Sequence, residues 1–512
     1  MALFTCNSSL PSPGLRNWNS IIKKQMEMGE PENAIMTYLK MQALGFHGDN
    51  YTFPLLLKAA GRISAPNLGF SLHGHTIKTG FSAHVFVQTA LIDMYGTLHC
   101  IVDARKVFDK MPERDLVAWN SMLDAFTCNY QMDDAIYLFD LMPLKDLSSF
   151  NILISGYSII GEVLSARRVF DQMGEKDTVS WNSMISAYTR AGEMKMGLEL
   201  FSKMPIRNGI TWNTMITGCL QNDQFREAIE LFEEMKNTDC KPDYLTMVSV
   251  LSASAHLGSL ELGQRFHIYA MNHNIASNPY VVTALIDMYA KCGSIEQALL
   301  VFVKSESNDI YSWNAMITGL SLHGSAISAI QMFRNMRAKN IKPDDITFIG
   351  LLNACSHSGF VQEGCELFNS MEKGFGVSPK LEHYGCVIDL LSRAGYLDEA
   401  FRVIEAMGFE PGESVLGALL NGCVIHKDVE RGKRVMIKMM SCRGKGLSDG
   451  ELMMFSNLYA ACGDWEEANK WREMMNEAGI VKTAGLSVIE VDGRFCKFMA
   501  GEISKDFATI DV

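Results

Sequence analysis

A packing signature recurs along this chain at steps of 31 to 36 residues, and that recurrence restricts the fold more than any local motif does. The small residue and the aromatic four places later in Ala104 and Phe108 return at Ala135 and Phe139, Ala166 and Phe170, Gly197 and Phe201, and Ala228 and Phe232. They return again at Ala298 and Phe302 and at Ala329 and Phe333, with Gly263/His267, Gly364/Phe368 and Ala400/Ile404 filling the remaining steps. Residues four apart share a helix face, so the small residue admits a neighbouring helix and the aromatic fills the space beside it. A second helix in each period opens with an aromatic and an asparagine: Trp18-Asn19, Trp119-Asn120, Phe150-Asn151, Trp181-Asn182, Trp212-Asn213 and Trp313-Asn314. Five of the seven tryptophans occupy that slot, which marks a shared structural role. Turns centred on Gly192, Gly293, Gly324 and Gly395 separate the two helices, where glycine tolerates the left-handed backbone after a helix end.

Each period is therefore helix, turn, helix. One such pair cannot bury its apolar face alone, and stacking a dozen of them builds a continuous core from neighbour contacts. The expected fold class is all-α, a right-handed superhelical solenoid of helix-turn-helix repeats with a short C-terminal β-hairpin. Placing the asparagine fifth in each unit gives twelve units that tile residues 15–412: 15–49, 50–84, 85–115, 116–146, 147–177, 178–208, 209–243, 244–278, 279–309, 310–344, 345–380 and 381–412. Two further helical pairs are expected over 413–446 and 447–484, then a hairpin and tail over 485–512, because "SVIEVDGRFCKF" alternates around Asp492-Gly493, a favoured tight-turn pair. Residues 1–14 have no acidic residue and three serines. They read either as a short targeting segment or as a frayed terminus.

Composition narrows the function. A net charge of −12 and a pI near 5.5 argue against non-specific polyanion binding, which runs on phosphate neutralisation. Thirteen scattered cysteines fit a reduced compartment better than a disulfide framework. No apolar run approaches the roughly 18 to 20 residues that cross a bilayer, so no membrane partner is expected. Neither a phosphate-binding loop nor a nucleophile elbow is present, so neither a cofactor nor a small-molecule substrate is expected, and the chain reads as a non-enzyme. The methionine stripe through Met111, Met142, Met173, Met204, Met235 and Met336 reads as core.

With unit lengths of 35, 35 or 36, and 31 or 32, and with "WNSMI", "TALIDMY" at Thr89–Tyr95 and Thr283–Tyr289, and "KPD" at Lys241–Asp243 and Lys342–Asp344, the chain resembles the plant pentatricopeptide repeat family. The resemblance is to the subclass that mixes standard, long and short repeats. "ESVLGALLNGC" from Glu413 and "MMFSNLYAACGDWEEANKWREMM" from Met453 resemble the two extension motifs of its E subgroup. That resemblance implies binding of single-stranded organellar RNA and the specifying of C-to-U editing sites, in the mitochondrion or alternatively the chloroplast. A related subgroup carries a zinc deaminase domain. Here no histidine begins His-x-Glu and no Cys-x-x-Cys occurs, so no metal site is expected and the resemblance implies a deaminase-bearing partner acting in trans.

Repeats of this type read one base each with two or three side chains. In the family the fifth and last residues of a repeat discriminate bases, because an Asn amide donates and accepts whereas an Asp carboxylate only accepts. The resemblance implies uracil for Asn19/Asp49, Asn120/Asp146, Asn151/Asp177, Asn213/Asp243 and Asn314/Asp344, guanine for Thr89/Asp115 and Thr283/Asp309, and cytosine for Asn182/Asn208. Phe86, Val117, Val179, Ile210, Tyr280 and Tyr311, second in their repeats, would flank the bases. The pairs Pro54/His84, Val248/Asn278, Ile349/Lys380 and Gly385/Gly412 give no clear base. The same Asn, Thr and Asp residues also suit helix capping. Besides editing, two alternatives stay open: RNA processing or stabilisation, and a helical scaffold for a protein partner.

Overall fold

The computed structural model describes residues 15–305, 308–442, 449–477, 486–491, 494–499 and 509–510. The expected targeting segment at 1–14 lies outside the described residues. The described residues form twenty-eight α-helices, from Leu15–Glu27 to Trp465–Glu477, and three short strands.

Helix starts follow from capping. Asp115, Asp146, Asp177, Asn208, Asp243, Asp309 and Asp344 sit in extended backbone just before a helix, and each accepts from the third N–H of that helix, as Ala118 N–H donates to Asp115 Oδ1 at 2.8 Å. Helix ends within each pair turn through one left-handed residue, such as Gly161 (φ 82°), Gly192 (φ 78°) and Gly395 (φ 87°). The same slot is filled by Ser64, His99, Tyr130, Asp223 and Lys427, also at positive φ.

The chain divides into two compact units, residues 1–224 and 225–512. In each, the first helix of one pair lies on the first helix of the next, as Val85–Thr97 does on Leu116–Cys128 and Pro279–Lys291 on Ile310–Leu322. The small residues of the signature, Ala104, Ala135, Ala166, Ala298 and Ala329, are fully buried. Their aromatic partners meet the ring that opens the following pair: Phe108 on Trp119 at 5.0 Å and 79°, Phe170 on Trp181 at 5.2 Å and 78°, and Phe302 on Trp313 at 4.7 Å and 78°. Such edge-to-face pairs contribute about 0.5–1.5 kcal/mol each beyond burial. Arg114 caps the Phe108 ring at 4.7 Å and Lys176 the Phe170 ring at 5.1 Å. Small residues set the helix spacing: a Cβ on Gly218 would stand 2.4 Å from Thr189 Cγ2.

The expected fold class is corrected at the C-terminus. Instead of a lone two-stranded hairpin, Arg494–Met499 pairs antiparallel both with Leu486–Val491 and with Thr509–Ile510, giving a three-stranded sheet. A two-stranded ribbon leaves its edges unpaired and is marginal in water, and the third strand pairs with Phe495 and Cys496 on one edge. The expected turn residues Asp492 and Gly493 lie outside the described residues.

Candidate nucleic-acid interface

The fifth residue of a repeat projects from the second turn of its first helix, and the last residue caps the first helix of the next repeat. Neighbouring first helices lie side by side, so residues 26 to 30 apart in sequence meet. Asn19 Nδ2 donates to Asp49 Oδ1 at 3.1 Å, Asn120 Nδ2 to Asp146 Oδ1 at 3.1 Å, and Asn314 Nδ2 to Asp344 Oδ1 at 2.9 Å. The Asn151 amide likewise acts on Asp177, lowering its carboxyl pKa. In these pairs the acidic partner is half-buried, neither sealed in the core nor fully in solvent.

The other expected pairs are arranged differently. Thr89 Oγ1 donates back to Val85 O at 3.0 Å, while Asp115 is exposed and serves the helix start at Ala118. Thr283 Oγ1 lies 3.2 Å from Ser312 Oγ, whose N–H and hydroxyl donate to Asp309 at 2.9 and 3.0 Å. Asn208 accepts from Thr211 N–H at 3.0 Å, and Asn182 Oδ1 is buried without a hydrogen-bond partner among the described residues. Asn213 belongs to the first compact unit and Asp243 to the second. Asn213 is half-buried on the helix Gly209–Gln221, and Asp243 accepts from Thr246 N–H at 2.9 Å.

The flanking positions Phe86, Val117, Val179, Ile210, Tyr280 and Tyr311 are all 56–66% exposed, at the first turn of their helices. Exposed at a fixed slot, the rings of Phe86, Tyr280 and Tyr311 offer flat, sequence-tolerant contact to a nucleobase face, and Val117, Val179 and Ile210 offer apolar contact. Sequence reading passed over the same slot in three long repeats, where Tyr51, Leu245 and Ile346 are exposed as well. Counting two residues in from each repeat start finds them. In the second unit, Tyr280, Tyr311, Thr283, Asp309, Asn314 and Asp344 line one cavity of about 520 Å³, together with Val248 and Ile346. Two tyrosine side chains and amide, hydroxyl and carboxylate groups therefore share one wall of that cavity, where Tyr280 stacks on Tyr244 at 5.8 Å.

Three of the carboxyls, those of Asp49, Asp146 and Asp177, are held below the ordinary carboxyl range. Partial burial pushes the Asp146 carboxyl up, but the Ser149 N–H, the Asn120 amide and the Ser149 hydroxyl outweigh it and leave its pKa below the ordinary value. Asp49 and Asp177 are lowered in the same way, against burial, by their Thr52 and Ser180 bonds and by the amides of Asn19 and Asn151. At Asp146 the Asn120 amide and the Ser149 N–H bond to Oδ1, which the Ser149 hydroxyl also approaches at 2.8 Å, so Oδ2 keeps its acceptor capacity. At Asn19/Asp49 and Asn120/Asp146 the site thus presents an amide whose amino end faces an anionic acceptor.

A pentatricopeptide repeat-containing protein of Arabidopsis thaliana is 49% identical over 500 residues, covering 96% of this chain and 82% of the relative. The chain belongs to the pentatricopeptide repeat family. A second Arabidopsis pentatricopeptide repeat protein is 42% identical over 488 residues, covering 94% of this chain and 83% of that one. A third, named as mitochondrial, is 35% identical over 495 residues, covering 97% of this chain and 63% of the relative. The PPR repeat model matches residues 89–116, 117–147, 148–178, 179–208, 280–310, 346–374 and 382–408, and the PPR repeat family model matches 207–256 and 308–357. An E motif model matches 426–490. The crystal structure of the pentatricopeptide repeat protein PPR10 in complex with an 18-nt psaJ RNA element aligns with a TM-score of 0.53 at 20% identity, over 92% of this chain and 71% of that one. At that identity the likeness is one of fold, the all-helical repeat solenoid, and the hairpin of the expected fold class is no part of it. Proteins of this family are typically non-enzymatic repeat proteins.

Proposed function

We propose that this pentatricopeptide repeat protein binds single-stranded RNA sequence-specifically, one base per repeat, along residues 15–412. The observation that carries the reading is the Asn amide and Asp carboxylate held at 2.9–3.1 Å at Asn19/Asp49, Asn120/Asp146 and Asn314/Asp344, joined in the last two repeats by an exposed apolar side chain at the second position, Val117 and Tyr311. A peptide scaffold has no need of Asn or Thr with Asp at the fifth and last slots at regular intervals. The similar solved protein PPR10 is bound to an RNA element, which supports RNA as the ligand class. Base reading is assigned to Asn19/Asp49, Thr89/Asp115, Asn120/Asp146, Asn151/Asp177, Asn182/Asn208, Asn213/Asp243, Thr283/Asp309 and Asn314/Asp344. With the family code these favour the 12-mer UAGUUCUAGUAA, adenine standing at the four positions without a clear base. A gel shift of that RNA against a scrambled 12-mer of the same composition tests the reading; equal binding of the two overturns it.

The E motif over 426–490 favours a finer reading, recognition of an organellar C-to-U editing site. In it, residues 413–500 recruit a deaminase-bearing partner in trans. Relatives named mitochondrial, and chloroplastic/mitochondrial, support an organellar setting, the mitochondrion first and the chloroplast as the alternative. Organelle transcripts of a plant lacking the protein would then lose one C-to-U conversion; an unchanged set of conversions, with one transcript shortened or depleted, favours processing or stabilisation instead.

A further inference from the structure

An Asn amide reads a base only if its two ends stay put, because exchanging the carbonyl and the amino group swaps acceptor for donor. One end is fixed by the Asp of the pair. The carboxylate only accepts, so the amino end must face it, as it does at Asp49, Asp146 and Asp344.

The other end is held by a residue outside the two-residue code. The Thr52 hydroxyl lies 2.7 Å from Asn19 Oδ1 and 2.8 Å from Asp49 Oδ1, the Ser149 hydroxyl 2.7 Å from Asn120 Oδ1 and 2.8 Å from Asp146 Oδ1, and the Thr347 hydroxyl 2.6 Å from Asn314 Oδ1 and 2.9 Å from Asp344 Oδ1; each has one proton to donate, and in each the Asn oxygen is the nearer acceptor. Each of these is the third residue of the following repeat. Each also takes part in capping that repeat's first helix: Asp49 N–H donates to Thr52 Oγ1 and Asp344 N–H to Thr347 Oγ1, both at 3.1 Å. The hydroxyls are buried, with Thr52, Ser149 and Thr347 at 0% exposure, so water cannot replace them.

Two repeats lack this bond. The Ser180 hydroxyl donates to Asp177 at 2.7 Å and the Thr211 hydroxyl to Asn208 at 3.0 Å. The Asn151 and Asn182 carbonyl oxygens are correspondingly buried without a hydrogen-bond partner among the described residues. Repeats with an identical or similar pair therefore come in two forms, one with the amide pinned at both ends and one with its carbonyl oxygen open.

We propose that the third-position hydroxyl of the following repeat is a specificity-determining positioning residue: Thr52, Ser149 and Thr347 lock the reading amides of Asn19, Asn120 and Asn314, whereas Ser180 and Thr211 leave those of Asn151 and Asn182 unlocked. The inference rests on the base-reading function proposed above. A locked amide offers the base one fixed pattern and rejects the wrong pyrimidine more sharply. An open amide is freer to turn, and its base is read more loosely.

Ser149 and Ser180 form a matched pair, since both are buried serines on the third residue after an Asp cap, and both follow an Asn/Asp pair. The full chain and its S149A and S180A variants would be titrated with labelled UAGUUCUAGUAA and with RNAs carrying cytosine at the fourth or the fifth base. The S149A variant should lose about fivefold of its uracil-over-cytosine preference at the fourth base, the equivalent of one net hydrogen bond. The S180A variant should keep its fifth-base preference within about twofold of the parent. Both lose a capping hydroxyl, so a merely structural role would move both titrations alike. S149T keeps the hydroxyl and should restore the parent's preference, which separates lost locking from poor folding. Equal effects of S149A and S180A, or an unchanged fourth-base preference in S149A, overturn the inference while leaving base reading intact. A parent that discriminates at neither base removes base reading itself, and this inference with it.

Discussion

Asn314 Nδ2 donates to Asp344 Oδ1 at 2.9 Å across thirty residues of chain, and the same carboxylate oxygen accepts the Thr347 N–H at 2.9 Å. One oxygen atom therefore joins the reading position of one repeat to the helix start of the next. Capping and base reading are two uses of one group.

That double use separates two substitutions. Asp344→Ala removes the cap and should lower stability by about 1 kcal/mol, whereas Asp344→Asn keeps a side-chain acceptor and should cost far less. Urea unfolding followed by helical circular dichroism measures both, and an Ala variant as stable as the parent would contradict the capping geometry.

Acid should release the caps. The Asp146 pKa is depressed in the folded chain, the Ser149 and Asn120 hydrogen bonds outweighing partial burial. Its contribution is thus complete above the ordinary carboxyl value of about 3.9 and is lost as the pH falls through the lowered folded value. The urea midpoints of the parent and of Asp146→Asn should differ by a constant amount between pH 7 and 5 and converge below about pH 4. A difference that widens in acid has the wrong sign for this account.

Helix spacing gives a packing test. A Cβ on Gly422 would stand 2.4 Å from Ser392 Cβ and 3.1 Å from the Ser392 backbone. Gly422→Ala should therefore destabilise by about 1–3 kcal/mol even though alanine favours helices. Thermal or urea unfolding of the variant checks it; a stabilised variant would mean that the two helices do not approach so closely.

The charge balance bears on salt. With a net charge of −12, binding that depends on base edges and apolar faces should lose affinity with salt on a log–log slope shallower than about −4. Anisotropy titrations of the 12-mer over a range of potassium chloride concentrations measure the slope, and a value near −10 would point to phosphate clamping instead.

Much of the repeat could be read before its geometry, because helix packing leaves a period-long trace. Ala135 and Phe139 are spaced by one helical turn, and both do in three dimensions what that spacing implies. The turn slot was only half legible. Gly192 and Gly395 announce a left-handed residue, but Tyr130 (φ 61°) and Asp223 (φ 57°) occupy the same slot with no sequence signal. There the flanking helices impose the conformation on residues that rarely choose it. Asn120 and Asp146 stood out as polar residues at fixed places in an apolar pattern. Ser149 did not, because a serine at the third helical position reads as half of a capping box and nothing in one repeat shows that it reaches into another. The third strand of the tail, Thr509–Ile510, is too short to carry an alternation.

The central claim is that the pair at each repeat sets the base, and Asn208 tests it most directly. Asn208 caps the helix Gly209–Gln221, and Asp caps as well as Asn, so Asn208→Asp changes the hydrogen-bonding character of the pair while sparing the fold. Competition between UAGUUCUAGUAA and the same RNA with uracil at the sixth base should favour cytosine with the parent and shift toward uracil with the variant, by about 1 kcal/mol. The same preference with both proteins would contradict the account.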